Sequence, residues 1–354
     1  MQTESPFTAA PRRASATEVP VLDLGDWIAG GSPDELVRQL DAVCTSTGFL
    51  YVRNHGIPRA VVDGVFEATR RYFALPVEER MRDKIDERFR RGFMPYGVTQ
   101  HPGHKPDLKE SYELGVDLPL DDPDVQAGLP LHGPNRWPAE APWLKEAAEA
   151  YFAHTTALGK RLLRLFALAL GEKEEFFLQW CNKPMVQSRL FHYPPQDSPT
   201  DIELGAAKHT DYGMITILAQ DPIGGLELCK RDGEWIAAPW IEDTLVVNLG
   251  DMFKVWTNDR YVSNPHRVVN RTGRERFSIP TFFNLVFHSA ARHPHRMKRV
   301  SNTSRGGWHR GRFVSGASNP KPSWTRSPTS TPYCRLGSLI LEHAFQNPTT
   351  WTAR

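Results

Sequence analysis

Two histidines and one aspartate are the residues of this 354-residue chain best placed to do chemistry. His209 and Asp211 stand one residue apart in AAKHTDYGMITILAQD, and His266 follows in VSNPHRVVNRTGRERFSIPTFFN. Two imidazoles and a carboxylate on one side of a metal suit Fe(II) and leave the opposite positions open for other ligands. In a strand, residues i and i+2 project to the same side, so His209 and Asp211 can share an ion while Thr210 points away. His266 must then arrive on a strand brought alongside by the fold. A lone HxD is common and reads equally well as an Asx-type turn. The pattern gains force from Arg276 and Ser278, ten and twelve residues after His266. As a surface ion pair Arg276 would contribute at most ~1 kcal/mol. In a pocket its guanidinium can instead clamp a carboxylate through two parallel bonds, which lysine cannot do.

The elements that must position these groups are short. Ser32-Pro33-Asp34-Glu35 reads as a helix start, with Ser32 as cap, Pro33 first and Glu35 three residues after the cap. The spacing predicts a strand and turn over FLYVRNHGI, an amphipathic helix over 59–75, and loops with short strands over 85–118. A long helix is predicted from Trp143 to Leu170, where Leu144, Ala148, Tyr151, Leu158, Leu162, Leu165 and Ala169 recur at helical spacings. Then come VQSRLFHY, MITILAQ, GLELC, EWIAA, TLVVNLGD, HRVVN and RFSIPTFFNL, separated by turn residues. Many short strands without interleaved helices predict an antiparallel jelly roll, whose eight-stranded sandwich brings distant strands to one mouth. The expected class is mainly β with flanking helices: a double-stranded β-helix core and an α/β N-terminal domain.

These motifs give the chain a resemblance to the iron(II)/2-oxoglutarate-dependent dioxygenase superfamily, in the branch that includes isopenicillin N synthase. The resemblance rests on HxD…H, on RxS, on VPVLDL…GFLYVRNHGIP and on LFHYPP at 190–195, and covers 18–287. It implies that His209, Asp211 and His266 bind Fe(II). It also implies that Arg276 and Ser278 pair with the distal carboxylate of 2-oxoglutarate, with Tyr193 reaching the same carboxylate. Arg189, four residues before Tyr193 and on the same strand face, is a candidate for that carboxylate or for an acidic substrate. Phe191 stands where many relatives have an Asn. Tyr212, Phe93, Tyr96, Tyr112 and Phe283 are candidates for the cavity wall. The implied activity is oxidation, by default hydroxylation, of a small molecule with O₂, releasing succinate and CO₂; antibiotic tailoring is the guess from the closest branch. Isopenicillin N synthase itself uses RxS on its substrate, so an oxidase without 2-oxoglutarate stays open, as does a non-catalytic jelly-roll binding protein.

Composition fits a globular protein, with 40% hydrophobic and 24% charged residues. The first residues lack the apolar core of a signal peptide, and no run of 18 apolar residues occurs, so no membrane partner and a cytoplasmic location are expected. Cys44, Cys181, Cys229 and Cys334 are scattered, as expected for reduced thiols. The net charge of +2 hides an asymmetry: 286–354 holds eleven Lys/Arg and one acid, Glu342, leaving the rest at −8. That tail has no recognisable nucleic-acid motif, so no nucleic-acid partner is expected, and His288, His293 and His295 within it are not expected to bind metal. The expected organisation is a disordered leader (1–17), an N-terminal domain (18–140), scaffold helix plus jelly-roll core (141–287) and an atypical basic tail (288–354). Three readings of the tail compete, a disordered appendage, a lineage-specific extension and an aberrant reading frame, with the last two favoured about equally.

Overall fold

The computed structural model describes residues 10–86, 88–100, 103–196, 200 and 202–286. The readings of the 288–354 tail, its histidines and Cys334 fall outside them. Among the described residues there are twelve strands: β1 Val21–Asp23, β2 Phe49–Arg53, β3 Gly92–Met94, β4 Glu110–Gly115, β5 Val186–Tyr193, β6 Ala206–His209, β7 Ile215–Gln220, β8 Leu226–Cys229, β9 Trp235–Ala238, β10 Thr244–Leu249, β11 His266–Val268 and β12 Arg276–Phe283.

The last eight strands make the predicted jelly roll. β10, β7, β12 and β5 form the centre of one sheet, and β6, β11, β8 and β9 form the other. The larger sheet continues past this core at both edges, through β2 and β1 beside β10 and through β4 and β3 beside β5. Segments that precede the scaffold helix in sequence therefore complete the same sheet that carries Arg276 and Ser278. Only the β1–β2 pairing is parallel among the described strands.

The long helix runs Pro142–Ala169 and covers the outer face of the larger sheet, joined there by Asp34–Cys44 and Arg59–Phe73. Leu158, Leu162 and Phe166 of this helix belong to one core with Leu190, Ile217, Val247 and Ile279 of the sheet. Each such fully buried side chain contributes roughly 1.5–3 kcal/mol. Gly159 lets the helix approach closely, because a Cβ there would lie 2.3 Å from the Phe283 ring. Between the sheets, Phe49, Tyr51 and Val246 pack on Leu226, Leu228 and Ile236, while Phe191 and Tyr193 pack on Ala206 and Val268.

Two local expectations change. The helix predicted at Ser32 begins at Asp34, with Pro33 in the cap position; the Ser32 hydroxyl still accepts the Asp34 N–H at 3.2 Å. Phe93, Tyr112 and Phe283 lie in the core beneath the helices rather than between the two sheets. Tyr96 is largely exposed. Cys44, Cys181 and Cys229 are free and buried.

Candidate metal and co-substrate site

β6 and β11 lie side by side with His209 directly opposite His266, which puts the two ring centroids 4.3 Å apart. β6 ends at His209, so Asp211 stands in the β6–β7 connection rather than on the strand, and simple i, i+2 alternation is not what aims it. The connection is held instead by the helix Asp251–Trp256. The Asp251 and Met252 N–H groups donate to the carbonyls of Asp211 (2.7 Å) and Tyr212 (3.0 Å), and the Thr210 hydroxyl donates to Asp251 Oδ2 at 2.9 Å. Gly250 permits this approach, since a Cβ there would fall 2.3 Å from the Gly213 carbonyl oxygen.

The result is a convergent donor set. One ligand atom from each of His209, Asp211 and His266 lies within 4.8 Å of the others. Asp211 Oδ1 is 3.8 Å from Nε2 of both histidines. Its other oxygen is occupied, accepting from Thr216 Oγ1 at 2.5 Å and Asn248 Nδ2 at 2.7 Å. Each Nδ1 faces a backbone carbonyl, of Ala207 for His209 (2.7 Å) and, at longer range, of Asn264 for His266 (3.5 Å). A proton held on Nδ1 leaves the Nε2 lone pair for a metal. Burial, reinforced by His266, pulls the pKa of His209 down to about 3, even with Asp211 opposing. Burial alone would raise Asp211, but the two histidines and the Thr216 and Asn248 bonds outweigh it and lower its pKa. Both shifts favour the deprotonated forms that bind cations.

Arg276 opens β12 and is completely buried. Its Nε donates to the Gly224 carbonyl and its Nη1 to Ser278 Oγ at 3.0 Å, while Nη2 has no hydrogen-bond partner among the described residues. Tyr193, opposite Arg276 across β5–β12, lays its ring over the guanidinium at 4.6 Å. Asp221 holds the adjoining turn by accepting the N–H groups of Phe277 and Ile223. Burial raises the pKa of Asp221, with Arg276 opposing. A buried guanidinium with an unused N–H is an anion receptor in waiting. Arg189 stands apart from this group, 3.5 Å from Glu113 and with its guanidinium over Phe282.

Sequence reasoning singled out the donors and Arg276 but missed Thr216, Asn248, Asp221 and Glu113. A visible signal existed for two of them: Asn248 and Thr216 are polar residues inside the apolar runs TLVVNL and MITILAQ.

Comparison with known proteins agrees with this geometry. Residues 19–140 match the family model of the N-terminal region of non-haem dioxygenases in morphine synthesis, and 181–285 match that of the 2OG-Fe(II) oxygenase superfamily. The 2-oxoglutarate-Fe(II) type oxidoreductase hxnY of Emericella nidulans is 37% identical over 277 residues, spanning 75% of this chain and 79% of that protein. The chain belongs to the 2OG-Fe(II) oxygenase superfamily. Homoarginine-6-hydroxylase of Glycine max is 33% identical over 291 residues, covering 77% of this oxygenase and 87% of its relative. A Neurospora crassa protein solved in complex with alpha-KG and thymine superposes with a TM-score of 0.67 at 29% identity, covering 77% and 87% of the two chains.

The oxygenase is thus an Fe(II)/2-oxoglutarate-dependent dioxygenase that uses O₂. Its residues fit both groups: a two-imidazole, one-carboxylate donor set suits Fe(II), and the unused Arg276 N–H suits a dicarboxylate. No helix among the described residues is long and apolar enough to cross a membrane.

Proposed function

We propose that His209, Asp211 and His266 hold the iron, that Arg276 and Ser278 clamp the distal carboxylate of 2-oxoglutarate, and that the substrate is a small molecule hydroxylated at a C–H bond. The convergence of three donor atoms, with Asp211 Oδ2 already occupied and Oδ1 turned to both Nε2 atoms, supports this reading most directly. With iron bound, the site supplies O₂ activation coupled to conversion of 2-oxoglutarate into succinate and CO₂. The chain's own residues supply orientation. The Ala207 and Asn264 carbonyls set the imidazole tautomers, Thr216 and Asn248 fix the carboxylate, and the Tyr193 ring shields the Arg276 guanidinium from water. A preset clamp of this kind lowers the entropic cost of aligning the reactants. The thymine complex of the Neurospora crassa protein and the name of the Glycine max homoarginine hydroxylase support a small-molecule substrate. The narrower reading, tailoring of an antibiotic-like metabolite, is supported by the likeness to the isopenicillin N synthase branch, and a cytoplasmic location by the lack of a signal-peptide-like apolar core in the first residues.

The test is anaerobic addition of Fe(II) and then 2-oxoglutarate, following the visible iron-to-oxoacid charge-transfer band. A saturable band that disappears in His209→Ala and weakens in Arg276→Ala is expected. Bound iron without a band in the unaltered protein would refute the co-substrate assignment, and no bound iron would refute the donor set. Succinate release on admitting O₂ separates this enzyme from an oxidase that draws all its electrons from substrate.

A further inference from the structure

A second set of buried polar groups shares the sheet face that carries Arg276, Ser278 and the two side chains bonded to Asp211. Asn248, Thr216, Phe282 and Gln187 are successive partners across β10, β7, β12 and β5. Cross-strand partners point to one side of a sheet, so Gln187 and Phe282 face the same interior as the two side chains that hold Asp211. Arg189 is two residues along β5 from Gln187, and Glu113 is its partner on β4, so both join that face. Arg276 and Ser278 occupy the other end of the same face, with Ser278 separated from Phe282 by about 13 Å of strand. The interior therefore has two polar ends. One is the carboxylate clamp, and the other is Glu113, Gln187 and Arg189.

This second end is unsatisfied. Glu113 and Gln187 are 3% and 4% exposed, yet Glu113 Oε2 and Gln187 Nε2 have no hydrogen-bond partner among the described residues. Arg189 Nε stands 3.5 Å from Glu113 Oε1 but is not aligned for a hydrogen bond. Buried polar atoms of this kind are costly unless something pairs them. The set offers one acceptor, Oε2, beside two donors. The Phe282 ring, under Arg189 at 5.1 Å, supplies an apolar surface alongside.

We propose that Glu113, Gln187 and Arg189 are the specificity-determining residues and read an amide edge of the substrate, its N–H donating to Glu113 Oε2 and its adjacent carbonyl accepting from Gln187 and Arg189. The substrate class is then a neutral cyclic amide or imide. Arg91 lies beside Gln187 on the same side, but its Nη atoms are held by the carbonyls of Phe89, Val116 and Leu131, so a carboxylic acid is disfavoured by Glu113 Oε2, which can accept from an N–H but not pair with a second carboxylate. A wholly apolar substrate would leave three buried polar atoms unpaired. The proposal rests on the preceding assignment of the metal and 2-oxoglutarate positions, and its test separates the two.

Binding of uracil, glutarimide, 2-pyrrolidinone and benzoate is measured by calorimetry on the full-length protein, both metal-free and loaded anaerobically with Fe(II) and 2-oxoglutarate. The charge-transfer band reports the metal site in every sample. Expected is binding of at least one cyclic amide, weakened about tenfold or more in Glu113→Gln and separately in Gln187→Leu, with the band intact. Glu113→Gln frees Arg189 and should improve benzoate binding, a reversal that general loosening of the fold would not produce. The proposal is overturned if no cyclic amide binds while the band forms, or if both variants bind amides and benzoate like the unaltered protein. Loss of the band in the unaltered protein, with amide binding still sensitive to Glu113 and Gln187, would refute the iron assignment and leave the amide-reading end standing.

Discussion

Replacing Arg276 by lysine keeps the charge and removes the fork, which makes it a sharp test of the co-substrate clamp. In the native site Nε is committed to the Gly224 carbonyl and Nη1 to Ser278, while Nη2 is buried and without a hydrogen-bond partner among the described residues, under the Tyr193 ring. A carboxylate arriving there can take Nη2 directly and share Nη1 with the Ser278 hydroxyl. A lysine ammonium cannot hold the Gly224 carbonyl and present two parallel N–H groups at once. One charge-assisted bond is lost, about 1.5–3 kcal/mol, so the dissociation constant for 2-oxoglutarate should rise roughly ten- to 150-fold. None of the contacts of Arg276 involves His209, Asp211 or His266, so Fe(II) affinity should hold. Ser278→Ala removes a neutral partner and should cost less, about 0.5–1.5 kcal/mol, or roughly two- to thirteen-fold. Anaerobic titration of the charge-transfer band gives both constants, and thermal melts of the metal-free proteins check folding. A change of less than about threefold in Arg276→Lys, with iron bound and the melt unchanged, would refute the clamp.

Other consequences follow from neighbouring residues. Thr216→Val or Asn248→Leu removes one of the two bonds to Asp211 Oδ2 and should weaken Fe(II) binding about 10–100-fold, read by competition with a chelating dye. An unchanged affinity would show that these bonds do not set the carboxylate. His209 has a folded pKa near 3, below its unfolded value of about 6.5, so the unfolded chain binds more protons in that window. The stability this histidine contributes is complete above about pH 6.5 and is lost as pH falls toward 3. The melting temperature of metal-free protein should therefore drop between pH 7.5 and 5, and drop less in His209→Ala; equal drops would count against the shift. Asp211, lowered by its neighbours, adds acid sensitivity only at lower pH, where its carboxylate protonates. Gly159→Ala should cost about 1–3 kcal/mol in urea unfolding by pushing the helix off Phe283, while leaving the charge-transfer band in place.

Most of the fold was legible because its signals are local. Seven apolar runs became β5 and β7–β12 without exception, and the helix predicted over Trp143–Leu170 lies within a residue of Pro142–Ala169. The donor types were legible too, but not the reason they converge. The distance from β6 to the helix at Asp251 is a tertiary fact, and the bonds from Asp251 and Met252 to the Asp211–Tyr212 backbone aim a side chain that lies outside its strand.

The misplaced aromatics show a different limit, one of parity. Phe283 and Tyr112 were expected at the cavity and lie in the core beneath the helices, while their neighbours Phe282 and Glu113 face the site. Successive residues of a strand point to opposite faces, so an error of one residue moves a side chain from one layer to the other. Two adjacent phenylalanines carry no internal mark of which is which. Arg276 does carry one: a carboxylate clamp must face the interior of the sandwich, and counting by twos from it along β12 gives 278, 280 and 282. The same count carried across the pairing reaches Gln187 opposite Phe282, then Arg189 and Glu113. Once one residue of a jelly-roll strand is tied to chemistry, the faces of its paired neighbours follow from register, and the polar residues on the inner face become the ones whose partners must be found. On that reasoning Glu113 is informative because it is a buried carboxylate on the inner side of the sheet, with Oε2 unpartnered among the described residues, where the proposed ligand would satisfy it.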